Sequence, residues 1–236
     1  MQGFEQVATQ LSRAYMVIRP DLPGFGLTGP QPDRDYRIET YVSTMARFME
    51  LLELPRYSVV GNSLGGNIAW NLALAYPQIL NGLVLINATG YPGKKLPSGL
   101  RLARNPWLKP LLRVWLPRRA TARNLQSIVG SASQIVDEEM IDRVHGLMSL
   151  PGNRSAFVDL ANIDQLDRSA EIRNITVPTL VLRSENINEQ HFARDIQGSY
   201  ELIHDAGGHL LPEEEPLWVA EAIEEFLQKL DLGVTS

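Results

Sequence analysis

The stretch that most constrains this chain is Gly61-Asn62-Ser63-Leu64-Gly65-Gly66, a G-x-S-x-G sequence between two recognisable elements. Before it, Tyr57-Ser58-Val59-Val60 reads as a short β-branched strand. Behind it, Asn67 to Tyr76 carries Ile68, Leu72 and Ala75 on one helical face, and Pro77 ends the pattern. A serine on so sharp a strand-to-helix turn has its hydroxyl held clear of the backbone, and the glycines let strand and helix approach closely. The backbone N–H of Leu64 then faces the place where a tetrahedral oxyanion forms. A chance Gly/Ser turn needs neither flanking element, so Ser63 is read as a nucleophile.

The rest of the chain alternates strands with helices. Tyr15 to Arg19 reads as a strand, followed by the loop Asp21-Leu22-Pro23-Gly24-Phe25-Gly26 and a helix from Thr40 to Leu52 with Val42, Met45, Phe48, Met49 and Leu52 on one face. Leu83 to Ile86 is continuously apolar, as in a strand buried on both faces, and Thr179 to Leu182 and Tyr200 to Ile203 are similar. A last helix, Pro216 to Leu230, has Val219, Ala222, Ile223, Phe226, Leu227 and Leu230 on one stripe, with Glu213 to Glu215 near its positive end. Such alternation predicts an α/β fold with a mostly parallel sheet and helices on both faces.

Between Ile86 and Thr179 no convincing strand occurs. The pieces Leu100 to Asn105, Leu108 to Leu116, Asp137 to Leu150 and Arg154 to Ile163 have helical spacing, broken by Pro or Gly. We read residues 91–173 as an all-helical cap inserted into a core of residues 1–90 and 174–236. The stretch from Lys94 to Arg123 carries nine Lys/Arg and no Asp/Glu. Its arginines, including Arg101, Arg104 and Arg113, are either solvated helix faces or, with Trp107 and Trp115, an amphipathic surface for lipid interfaces or apolar acyl substrates.

Composition narrows the remaining classes. The net charge of −5 speaks against a nucleic-acid partner. The chain has no cysteine, which excludes disulfides, thiol catalysis and thiolate-bound metals. No basic-then-apolar leader and no run of membrane-spanning length is present, so a cytoplasmic protein is the expectation. Gly24-Phe25-Gly26-Leu27-Thr28-Gly29 matches a dinucleotide fingerprint, but Pro30 and Pro32 prevent the helix that would hold a pyrophosphate. Asp21 in that loop is read as a carboxylate that accepts backbone N–H groups. No cofactor and no metal are expected; the partner is a small-molecule acyl substrate, and the oligomeric state is left open.

Three signatures stand in order: Asp21-Leu22-Pro23-Gly24-Phe25-Gly26, the serine turn at 61–66, and Ala206-Gly207-Gly208-His209-Leu210 after the last strand. Together they resemble the α/β-hydrolase family, particularly capped members related to carboxylesterases and meta-cleavage-product hydrolases. The resemblance runs over nearly the whole chain, cap included. It implies that Ser63 attacks a carbonyl and that His209 takes its proton and passes it to the leaving group. His145, His191 and His204 compete for that role, but only His209 follows glycines in a loop after the last strand. A serine rather than an aspartate at the turn speaks against dehalogenase or epoxide-hydrolase chemistry.

Two departures from the family pattern stand out. The aspartate expected after the penultimate strand is absent from Val181-Leu182-Arg183-Ser184-Glu185-Asn186, and Glu185 is the nearest carboxylate, taken here as the orienting acid. The end of the preceding strand, the alternative place for an acid, holds Asn87; Asp205 is a further candidate. The family also has three strands before the one at Tyr15, whereas Met1 to Phe4 resembles the helix that follows them. The expectation is an N-terminally truncated sheet with unpaired edges, from a shortened or late-started chain. The alternative to a working hydrolase is accordingly an impaired or non-enzymatic relative that acts as a binding partner.

Overall fold

The computed structural model describes residues 2–92 and 98–233, so that Lys94 and Lys95 of the basic stretch lie outside the described residues. The chain runs α1 (Glu5–Leu11), α2 (Ile38–Leu51), β1 (Tyr57–Asn62), α3 (Leu64–Ala75) and β2 (Leu80–Ile86). Five helices follow: α4 (Ser98–Arg104), α5 (Lys109–Val114), α6 (Arg118–Gln126), α7 (Glu138–Ser149) and α8 (Asn153–Asn162). It closes with β3 (Thr179–Ser184), α9 (Phe192–Asp195), β4 (Tyr200–His204), α10 (Leu211–Glu214) and α11 (Pro216–Asp231).

The strands form one parallel sheet in the order β1-β2-β3-β4. Alternation along β2 sorts its apolar residues to two cores. Leu83 and Leu85 pack with α2 and α3, while Val84 and Ile86 face α1 and α11. Helices thus cover both faces, which explains the unbroken apolar run of β2. On α11, Val219, Ala222, Ile223 and Phe226 are buried as the stripe predicts. The registers pair Asn62 with Ile86, Ile86 with Leu182, and Ser184 with His204. The loops after all four strands therefore leave from one edge, where parallel sheets collect their sites.

The expected strand at Tyr15 to Arg19 is a correction. The segment is extended but belongs to no ladder, and Met16 is 74% exposed. A strand exists through its neighbour, and β1 pairs only with β2 among the described residues. Between the segment and β1 lies a groove of about 670 Å³, lined by Val17, Val59, Phe48 and Leu227 among others. This groove also explains why the stripe of α2 is buried only at its start, at Ile38, Tyr41 and Val42. Helix α6 was not legible as a separate element, since only Thr121 and Leu125 of it are buried.

Candidate active site

Ser63 sits between β1 and α3 with φ 54° and ψ −114°, a conformation that side chains other than glycine's rarely adopt. Its N–H donates to Ile86 O at 3.0 Å, and its carbonyl accepts from Asn67 N at 3.0 Å and Thr89 N at 3.2 Å. The turn is thus bonded on both sides and holds the strain. The glycines divide the packing work: a Cβ on Gly61 would lie 2.3 Å from the Gly65 backbone, and one on Gly66 would lie 2.5 Å from Ala88 Cβ. A Cβ on Gly65 would meet nothing within 4 Å. Leu64 opens α3, so its N–H has no acceptor within the helix and stands at the positive end of the helix dipole.

His209 reaches this turn from the loop after β4. Its Nε2 lies 2.6 Å from Ser63 Oγ, a hydrogen bond between groups far apart in sequence. The other three histidines are engaged elsewhere. His145 Nδ1 meets Thr121 Oγ1 at 3.3 Å, His191 lies edge-on to Tyr91, and His204 Nδ1 accepts from Ala206 N and Gly207 N.

The backbone on either side of the His209 α-carbon is held from five places. Asn62 Nδ2 donates to His209 O at 3.1 Å, while Asn87 Nδ2 and Ser184 Oγ both donate to Gly208 O, at 2.9 and 2.7 Å. Glu214 Oε2 accepts from Gly208 N at 3.0 Å, and Ile128 O accepts from His209 N at 2.7 Å. Asn87 is itself locked, because its Oδ1 accepts from Ser184 N at 3.0 Å. Sequence reasoning missed this clamp, although Asn87 follows the apolar run of β2, a place where a buried amide requires a partner.

The run Glu213 to Glu215 does more than complement a helix end. Glu214 Oε1 also accepts from Gly130 N at 2.6 Å, and Glu213 Oε2 accepts from Arg143 of α7 at 2.9 Å. Burial pushes the Glu213 carboxyl above the usual carboxylate range, and Arg143 draws it partly back. Both carboxylates therefore fasten the helical segment between β2 and β3 to the loop of His209.

Glu185 is placed differently. Its N–H pairs with His204 O at 2.8 Å, its side chain is exposed, and among the described residues its carboxylate makes no hydrogen bond or ion pair. Asp205 is turned to solvent beside His204. Asp21 accepts from Leu27 N at 3.0 Å, the structural role expected of it. Among the described residues no cluster of His, Asp and Glu is arranged to hold a metal. No helix among them is long and apolar enough to cross a membrane.

Known proteins resemble this chain in sequence and in fold. An uncharacterized hydrolase of Bacillus subtilis, YugF, is 26% identical over 96% of this chain and 85% of its own length. A 2-hydroxy-6-oxo-2,4-heptadienoate hydrolase of Pseudomonas putida is 29% identical over 78% of this chain and 66% of its own length. A thermophilic esterase from Thermogutta terrifontis superposes with a TM-score of 0.80 at 23% identity, over 97% of this chain and 85% of that one. The sequence profile of the alpha/beta hydrolase fold matches residues 2–216, and the chain belongs to that family.

Proposed function

We propose that this protein is a serine-dependent hydrolase that cleaves an ester or a related acyl bond, C–C bonds included, in a small apolar substrate. The observation that carries this reading is the 2.6 Å contact of Ser63 Oγ with His209 Nε2 at a strained turn. Ser63 Oγ attacks the carbonyl carbon while its proton passes to His209 Nε2. The tetrahedral oxyanion is met by the Leu64 N–H at the start of α3. Collapse breaks the bond to the leaving group, which takes the proton from Nε2; water activated by the same nitrogen then releases the acid. The names of the relatives, an esterase and a heptadienoate hydrolase, support acyl chemistry. Residues 91–173, as a cap, would set the shape of the acyl pocket.

A second reading, a family member that binds without turnover, is favoured by the exposed and unengaged Glu185 carboxylate. An active-site fluorophosphonate, read beside p-nitrophenyl acetate and butyrate hydrolysis, separates the two. Rapid labelling and turnover that both vanish in Ser63→Ala, in folded protein, support the hydrolase. A folded wild type that neither labels nor turns over supports the binding protein.

A further inference from the structure

We infer that the outer face of α5, with its flanking helices, is a docking surface for an anionic lipid membrane. Trp107, Leu111, Val114 and Trp115 recur at helical spacing, and they are 90%, 47%, 70% and 56% exposed. The turn before α5 is continuous with it, since Leu108 N and Lys109 N donate to Asn105 O. The opposite face is the ordinary inward one: Leu112 packs on Ala103, Val158 and Ala161, and Arg113 pairs with the nearly buried Asp159. Helix α5 therefore turns Leu112 inward and leaves Leu111 and Val114 outward, with Trp107 and Trp115 exposed at its two ends. Single exposed apolar residues are common, but a stripe at this period is the mark of a face made for burial.

Charge identifies the occupant. The stretch from Lys94 to Arg123 contains nine cationic residues and no anionic one, in a chain of net charge −5, although Arg104, Arg113 and Arg118 are paired with carboxylates from α7, α8 and the loop after it. Arg101 on α4 and Arg119 and Arg123 on α6 are exposed, and among the described residues their guanidinium groups make no hydrogen bond or ion pair. Gly99 of α4 lies against Asn124 of α6, so these cations border one continuous layer. Protruding tryptophans, with exposed arginines on the helices before and after them, suit a lipid headgroup boundary, where indole and aliphatic groups sink in without a matching pocket. A symmetric pairing of two such faces would bring like charges together. The inference stands on this face alone and assumes nothing about the reaction.

The test is co-sedimentation of the whole protein with vesicles of phosphatidylcholine plus phosphatidylglycerol, beside pure phosphatidylcholine, at low and high salt. Wild type is expected to pellet with the anionic vesicles at low salt and to be released by salt or by omission of the anionic lipid. Each cation near an anionic leaflet raises partitioning about fivefold, so Arg101→Gln/Arg119→Gln/Arg123→Gln should lose roughly a hundredfold. Trp107→Ala/Trp115→Ala should lose at least about tenfold and the blue shift of tryptophan emission on binding, with an unchanged circular dichroism spectrum. Wild type that stays in the supernatant at low salt overturns the inference. So does undiminished binding by the folded tryptophan variant. Self-association that this variant abolishes would assign the face to a second copy and overturn it as well.

Discussion

Asn62 donates through Nδ2 to the backbone carbonyl of His209 at 3.1 Å, so the residue before the serine holds the residue that meets the serine. The same Nδ2 donates to Ile86 O at 3.1 Å, which ties strand β2 to both. The 2.6 Å contact between Ser63 and His209 is thus set by backbone anchors rather than by the two side chains alone.

Removing that anchor should cost rate more than binding. A misplacement of about 1 Å between reacting groups costs on the order of 10²-fold. Asn62→Ala is expected to lower kcat on p-nitrophenyl butyrate by about 10–100-fold with KM changed little, as steady-state kinetics on the folded variant would read. An unaltered kcat would mean the remaining bonds to the 208–209 backbone suffice.

Asn87 is 3% exposed and spends both amide hydrogens, on Ser184 Oγ and Gly208 O. A carboxylate there would face the Gly208 carbonyl with no hydrogen to give. Asn87→Asp should destabilise by about 2–4 kcal/mol near neutrality, from an unpaired buried charge. Protonation restores a donor, so the folded state raises the pKa of the new carboxyl. Urea titrations should show the deficit shrinking as pH falls through that raised value and smallest below the usual carboxylate range. A deficit independent of pH would contradict this account.

The two adjacent glycines at the start of α3 should behave oppositely. Gly66→Ala drives its Cβ to 2.5 Å from Ala88 Cβ and 2.9 Å from Ala88 Cα, so a loss of about 1–3 kcal/mol is expected. Gly65→Ala meets nothing within 4 Å and has no positive φ, so it should leave stability unchanged or raise it by up to about 1 kcal/mol. Calorimetry of the two variants checks the pair, and equal destabilisation would refute the packing argument.

Asp159 of α8 joins Arg34, at 2.7 and 2.8 Å, to Arg113 of α5. Burial works to raise its carboxyl, but the hydrogen bonds from Arg34 and Arg113 outweigh it and hold the carboxyl below the usual range. A lowered folded value means stability present above the unfolded carboxylate pKa and lost as pH falls through the folded one. Asp159→Asn should therefore cost about 1–2 kcal/mol at neutral pH, discounted because Arg34 is largely exposed, and progressively less in acid. Denaturant midpoints of both proteins from neutral pH into strong acid would measure the convergence; a constant gap would sink it.

Legibility followed the range of the interactions. The turn at 61–66 is encoded by contiguous residues, and so are the apolar runs of β2 and β3 and the stripe of α11, whereas β4, read as similarly buried, leaves Tyr200 to Ile203 exposed because it lies at the sheet edge. The clamp around His209 was not legible, because its bonds join side chains to backbone atoms far away, as between Asn62 and His209, 147 positions apart. Backbone atoms leave no compositional trace at the partner position. Glu214 was hidden differently: in an acidic run at a helix start, its hydrogen bonds to Gly130 and Gly208 look like dipole matching.

The sequence by itself determined the family layout and the serine turn, and pointed to the histidine that the fold sets against Ser63, because local periodicity, glycine placement and chain order carry them. Tertiary structure alone decided three other matters. Tyr15 to Arg19 joins no sheet, since a strand needs a neighbour and not only β-branched residues. Glu185 is left in solvent, since carboxylate chemistry does not specify which way a loop turns. On α5, Leu112 packs inward while Leu111 and Val114 face outward, since only the fold determines which apolar residues find a partner.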